Sequence, residues 1–276
     1  GPDGAICDTR FSKCCGGVSE RFSACWADED YAYLRPVRDY ACLQTDEDNA
    51  ADDGTPDASG PVAAESTGTK PGFPAAGPTH RNIVGTIPDL SDEQNAREWI
   101  LSSPEAFCNT SDPALLSTVL NSYDQETADF YRWRVEYSQE ELRDLLRRRS
   151  GIDFGSVLEL RPLRRGASGR IIELLIRGTQ RTVTVGKELE IRRWLSESHL
   201  YSSAFVVDTV YAEPASDGQD IRPDINAPAR FILHGAGWGH GVGLCQIGAA
   251  AMSARGCTFD RILAHYFRGS CLTRLY

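Results

Sequence analysis

The sequence lacks any apolar run approaching the ~20 residues of a membrane-spanning helix, so no membrane span is expected. It also lacks a positive balance. Its 29 Lys and Arg stand against 39 Asp and Glu, and the net charge of −10 argues against nucleic acid as the main partner. There is no Cys-x-x-Cys pair, and with it the ligand spacing of a zinc ribbon is missing. No signal-peptide pattern opens the chain. It starts Gly1-Pro2-Asp3-Gly4 without methionine, as a mature or partial form would.

What is present is ordinary in bulk and unusual in places. A chain of 276 residues with 41% hydrophobic and 25% charged content suits one large or two modest globular domains. Nine cysteines are many for that length. Cys7, Cys14, Cys15, Cys25, Cys42 and Cys108 fall early, and Cys245, Cys257 and Cys271 fall late. The N-terminal cluster suits disulfides in an exported protein. The alternative is a metal site assembled from Cys7, Cys14, Cys15 and Cys25. Cys245 stands between apolar residues and reads as a small buried thiol.

The chain is organised around Gly235-Ala236-Gly237-Trp238-Gly239-His240-Gly241-Val242-Gly243. Glycine occupies every second position. On the usual scale such a run costs about 3–5 kcal/mol against alanine in an extended segment, so something local should compensate. If the run is extended, one face is bare backbone and the other carries Ala236, Trp238, His240 and Val242. A bare face lets a ligand or another strand approach closely. If the run is a tight loop, the glycines supply positive φ. The plain alternative is a strand-to-helix connection packed in a core.

Around this run the expected architecture is α+β, a mixed, mostly antiparallel sheet with flanking helices and a long disordered-like insertion. Residues 1–43 form a first part, 44–90 the insertion and 91–276 the main part. In the insertion Asp46, Glu47, Asp48, Asp52, Asp53, Asp57 and Glu65 precede the first basic residue, Lys70. Such a stretch buries too little apolar surface to offset its ordering entropy. Cys42 and Cys108 flank it, and a disulfide there would tether both ends of a long loop.

Short strands are expected over 7–11, 128–137, 157–163, 169–177, 180–186, 205–211 and 231–234, with a last one closing the chain. Helices are expected over 91–101 with Ser91 as N-cap, then 138–149, 187–195, 244–255 and 259–267. From Tyr131 to Leu195, 15 Arg and Lys stand against 9 Asp and Glu. A solvated surface is the plain reading, and a groove for an anionic polymer built on Arg164, Arg165 and Arg170 is the sharper one.

Gly237 to Gln246, with Gly248-Ala249, closely resembles the signature of the stage II sporulation protein D and amidase-enhancer family. Lys13-Cys14-Cys15-Gly16-Gly17-Val18-Ser19-Glu20, with Trp26, Tyr33 and Leu34, is similar to its Gly-Gly-x-Ser/Thr-Glu element. Arg165-Gly166-x-Ser168-Gly169-Arg170, Ser202-x-x-Phe205, and Ile262 to Phe267 with Gly269 also fit. The resemblance implies binding and cleavage of peptidoglycan glycan strands as a lytic transglycosylase. The alternative it implies is a non-catalytic wall-binding module that enhances an amidase.

In the transglycosylase chemistry one carboxylic acid protonates the glycosidic oxygen. It then accepts the proton of the muramic 6-hydroxyl, which closes onto C1 as an anhydro sugar. No water is activated, so a second carboxylate is not obligatory. The family's Glu before an Ala-rich helix has no counterpart in residues 1–43, and the chain reads as beginning after it. Glu20 is the substitute candidate for the acid, with a sugar-contacting role as the other reading. The resemblance further implies His240, Gln246, Trp238, Arg165, Ser168, Arg170 and Glu20 on the substrate side. It calls for no metal and no cofactor, for glycan strands and an N-acetylmuramoyl amidase as partners rather than nucleic acid, and for an exported protein of the bacterial envelope or periplasm. The glycine run is expected in a cleft beside Gly16-Gly17.

Overall fold

A computed structural model describes residues 6–40, 87–121, 129–212 and 227–274. In chain order the elements are β1 (Phe11–Ser12), a 3-10 turn (Phe22–Ala24), α1 (Glu93–Ser102), α2 (Pro113–Val119), β2 (Arg132–Ser138) and α3 (Gln139–Ser150). Then follow β3 (Val157–Arg165), β4 (Ile171–Gly178), β5 (Thr182–Val185), α4 (Glu188–Trp194), β6 (Phe205–Val210) and β7 (Arg230–Ala236). The chain ends with β8 (Leu244–Cys245), α5 (Gln246–Ala254) and α6 (Phe259–Tyr266). The fold is α+β and mostly antiparallel. Among the described residues the strands form three sheets rather than one, in the orders β2-β7-β6, β3-β4-β5 and β1-β8. Among the described strand pairs only β1–β8 is parallel; it sets Phe11 opposite Leu244 and Ser12 opposite Cys245, and a single parallel bridge joins Glu20 to Val242.

Local chemistry explains most element ends. Ser138 accepts from Glu141 N while the Glu141 carboxylate takes the Ser138 N–H, and this capping box starts α3. Gly151 closes the helix in the left-handed region after Arg147, Arg148 and Arg149. Helix α1 is capped by Asp92, not Ser91. Ser91 is instead held through both its N–H and its hydroxyl by the Asp89 carboxylate, so its oxygen is not turned to the helix. Helix α2 was not anticipated, although Asp112-Pro113, a capping carboxylate before a proline at the first helical position, is its signature. The strand expected over 7–11 shrinks to Phe11–Ser12, and residues 271–274 carry no strand. Cys42 and nearly all of the acidic insertion lie outside the described residues.

Two large apolar clusters hold most of these elements, and a small third one, Ile100, Ala204, Val206 and Ala236, seats α1. One is aliphatic and lies among β2–β7, α3 and α4, with Leu142, Leu146, Ile171, Leu174, Ile176, Ile191, Phe205 and Leu233 essentially inaccessible. The alternating burial of β4, with Ile172, Leu174 and Ile176 inside, is the strand pattern at work. The other large cluster gathers Cys14, Cys15, Cys25, Cys108 and Cys245 with Phe22, Leu116, Phe130, Met252 and Tyr266 from the N-terminal segment, α2, the residues before β2, α5 and α6. Guanidinium groups tie the loops beside it. Arg132 donates to the carbonyls of Ile100, Gly16, Tyr131 and Trp99.

Candidate functional site

The glycine run is a loop of alternating handedness, not a flat ribbon. Gly235 still belongs to β7, whereas Gly237, Gly239, Gly241 and Gly243 have φ between 75° and 99°. These are conformations that side chains disfavour. The bare face is filled by the protein itself. A Cβ on Gly235 would fall 2.1 Å from Trp133 Cζ2, and one on Gly237 would fall 2.8 Å from the Cys14 carbonyl. On Gly241 it would meet Arg170 Cζ at 2.4 Å, and on Gly243 the Arg10 carbonyl at 2.2 Å. The run therefore lies against residues 10–16. Cys14 and Trp238 exchange two backbone hydrogen bonds of 3.1 and 2.8 Å, and Gly16 abuts Ala236 and Gly237. The side-chain-free surface admits another segment of the chain and leaves no room for a sugar.

Glu20 is sealed in the same hub. Its Oε1 accepts from the N–H groups of Arg21 (2.8 Å) and Ala167 (3.0 Å), and its Oε2 from Ser168 N (3.0 Å) and Ser168 Oγ (2.6 Å). With 0% exposure and four donors aimed at two oxygens, it cannot reach a glycosidic oxygen. Ser168 Oγ in turn accepts from Arg170 Nη1 at 2.9 Å. Arg170, also fully buried, donates to the carbonyls of Cys15 and Gly239. Glu20, Ser168 and Arg170 thus form one internal chain that fastens the glycine run to the loop after β3. A buried charge needs such partners.

The basic groove is likewise absent. Arg165, with 1% of its side chain exposed, is a bidentate partner of Glu93 and also donates to the carbonyls of Gly169 and Phe205. Arg164 alone of the three faces outward, where Glu173 takes both of its donated bonds.

Trp238, His240 and Gln246 are half-buried. Trp238 stacks on Tyr201 and Phe130, with centroids 4.2 and 4.8 Å away. Val242 N–H donates to His240 Nδ1 at 3.0 Å, so this nitrogen carries no proton. The imidazole also interacts with the Phe11 backbone. Burial, helped by Arg170, Arg192 and Arg10, pushes the imidazole down to about 4. His240 is therefore a neutral group packed against Trp26, with Nδ1 accepting from Val242. It ends an aromatic row in which Trp26 lies 4.8 Å from it, Phe22 4.8 Å from Trp26, Tyr31 5.0 Å from Phe22 and Tyr33 5.6 Å from Tyr31.

Tyr31 also faces an open cleft of about 680 Å³, lined by Arg21, Asp30, Arg35, Asp89 and Ala167 among others. Ala167, whose N–H holds Glu20, is part of the lining of the cleft. Nothing in the sequence marked Arg21, Tyr31 and Arg35 as a set, since they meet residues 87–90 and 167 only in three dimensions.

Among the described residues every cysteine is a free thiol, so the expected N-terminal disulfides are not formed there. The cysteines that meet are also not Cys7, Cys14, Cys15 and Cys25 as a set. Cys15, Cys108 and Cys245 come together with Asp39, their ligand-type atoms all within 4.8 Å of one another and all buried. Cys15 Sγ and Cys108 Sγ are 3.7 Å apart. Burial pushes the thiols of Cys14, Cys15 and Cys108 well up, and the Asp39 carboxyl up to about 6. At Cys245 burial also acts upward, but hydrogen bonds from Cys108, Cys14 and Cys15 outweigh it and hold this thiol well below its ordinary range. Cys245 was rightly placed as buried; Asp39 was not anticipated, because no spacing links it to cysteines so distant in the chain.

The fold and hub define an α+β domain whose N-terminal segment is locked to a glycine loop. Residues 78–243 match a family described as Domain of unknown function (DUF8618). The match spans more than half of the chain, and the chain belongs to this family. No curated protein matches it.

Proposed function

We propose that this chain binds glycan strands of bacterial peptidoglycan, in the cleft bordered by Tyr31, Arg21 and Arg35, as an exported wall-binding protein. The observation that carries the reading is this cleft. It brings Tyr31 together with the guanidinium groups of Arg35 and of Arg21, the latter 3.8 Å from the Asp30 carboxylate. A sugar ring stacks on the tyrosine, and the lactyl carboxylate of a muramic residue suits the guanidinium groups. The resemblance of the glycine–His–Gln segment and the Gly-Gly-x-Ser-Glu element to stage II sporulation protein D and amidase enhancers supports the same substrate class. Trp238 and Gln246 lie outside this cleft's lining, and Glu20, Ser168, Arg165 and Arg170 support the scaffold from within.

Cosedimentation with purified walls, and with strands stripped of stem peptides, tests the proposal. Binding should weaken as salt rises, and Tyr31→Ala and Arg35→Ala should each lower it severalfold. Arg35→Ala, at an exposed side chain, should do so without changing the melting temperature, whereas Tyr31→Ala also removes packing against Phe22 and Tyr33. No wall binding, or binding indifferent to both substitutions, overturns it.

The second reading is cleavage as a lytic transglycosylase. Asp30 and Asp89 line the same cleft, and one carboxylic acid suffices for that reaction. Anhydro-muramyl ends in the digest establish it. Their absence together with binding leaves a docking module that assists an amidase.

A further inference from the structure

We propose that Cys15, Cys108, Cys245 and Asp39 form a closed structural site for a thiophilic divalent cation, zinc by their chemistry. The inference stands apart from any glycan. Zinc–thiolate bonds of ~2.3 Å in a tetrahedron place neighbouring sulfurs about 3.8 Å apart. Cys15 Sγ and Cys108 Sγ stand 3.7 Å apart, the edge of such a tetrahedron. A disulfide needs about 2.05 Å. The four donor atoms crowd within 4.8 Å although they come from residues 15, 39, 108 and 245. They share an interior where none is more than 2% exposed. Three sulfurs favour zinc over magnesium or calcium. Four protein donors and no solvent path describe a structural site rather than a catalytic one.

The surroundings hold the donors in place. Cys245 Sγ accepts backbone N–H groups from Cys15 at 3.3 Å and Gly248 at 3.4 Å, at the N-terminus of α5. Asp39 Oδ1 accepts the Tyr266 hydroxyl at 2.6 Å and Oδ2 the Cys108 N–H at 3.0 Å. Such outer contacts orient metal ligands. The bound ion would join the residue 14–20 segment, the loop before α2 and the start of α5 at one point, which is where the glycine run ends. Cys14 is equally buried and touches Cys108 and Cys245, so it is the competing fourth donor.

The full chain, purified under reduction, should carry zinc in a one-to-one ratio by mass spectrometric metal analysis. After exchange, Co²⁺ should give the visible bands of a tetrahedral site and the near-ultraviolet charge transfer of three thiolates. Asp39→Asn should weaken Co²⁺ affinity roughly tenfold or more, whereas Cys14→Ser and Cys257→Ser should leave spectrum and affinity unchanged. Should Cys108→Ser fail to fold, the wild-type cobalt spectrum still decides. A folded, metal-free chain whose cobalt titration shows no thiolate charge transfer overturns the proposal. So does a Cys15–Cys108 disulfide in the protein isolated without reductant.

Discussion

The two cores of this molecule are built by different rules. The aliphatic core between β2–β7 and helices α3 and α4 contains no cysteine and fills with Leu, Ile, Val and Phe at strand and helix periods. The second core brings together five buried cysteines, and Glu20, Asp39, Arg170 and His265 are buried in the molecule without exposure. The first depends on area removed from water, about 1.5–3 kcal/mol for each fully buried large side chain. The second depends on directional contacts between segments far apart in sequence. The difference teaches where each core is vulnerable: one tolerates changes that conserve volume, the other does not tolerate a lost partner.

The sharpest break in that comparison is Arg170→Met. It removes a buried cation and leaves Ser168 Oγ and the carbonyls of Cys15 and Gly239 short of a donor. Denaturant unfolding should show a loss of about 3–5 kcal/mol. Leu174→Ala, in the aliphatic core, should cost roughly 2–4 kcal/mol, and Leu174→Met under about 1.5 kcal/mol. If a conservative exchange at Arg170 were as mild as Leu174→Met, the contrast would fail.

Next in size is an acid effect confined to the second core. The unfolded imidazole of His240 takes up its proton near 6.5, whereas in the fold it does so only near 4. Between these values the unfolded state binds more protons. The contribution is therefore complete above about pH 6.5 and is lost as pH falls towards 4, amounting to at most about 3 kcal/mol. His265 shifts the same way through burial. His240→Asn keeps an acceptor for the Val242 N–H and should flatten the slope of stability against pH in that window; an unchanged slope contradicts the assignment. Smallest is the Arg97–Asp208 pair, 2.6 Å apart but about 40% exposed on each side. A double-mutant cycle there should return 0.2–1 kcal/mol, fading with salt.

Legibility from sequence follows the same division. The capping box at Ser138 and Glu141, the alternation of β4 and the basic last turn of α3 are local signals, and the elements form where those signals stand. Arg165 and Arg170 misled because a run of arginines reads as a surface, while Glu93 and the Gly239 carbonyl, which hold them inside, are distant in the chain. The glycine run was legible as a close-approach element. What approaches it was not, since residues 10–16 and Trp133 become its neighbours only through the β1–β8 and β2–β7 pairings. The same pairings bring Cys15 to Cys245.

The account rests on the glycine run being shaped to its own chain, and a double-mutant cycle on Gly235 and Trp133 tests that most directly. Gly235→Ala places a methyl 2.1 Å from Trp133 Cζ2 and should cost more than about 2 kcal/mol by overpacking. In a Trp133→Phe background, which removes that atom, most of the penalty should vanish, a coupling of at least about 1 kcal/mol. Costs that simply add, within about 0.5 kcal/mol, would mean that the space beside the glycine is not held by the tryptophan, and the central claim would be wrong.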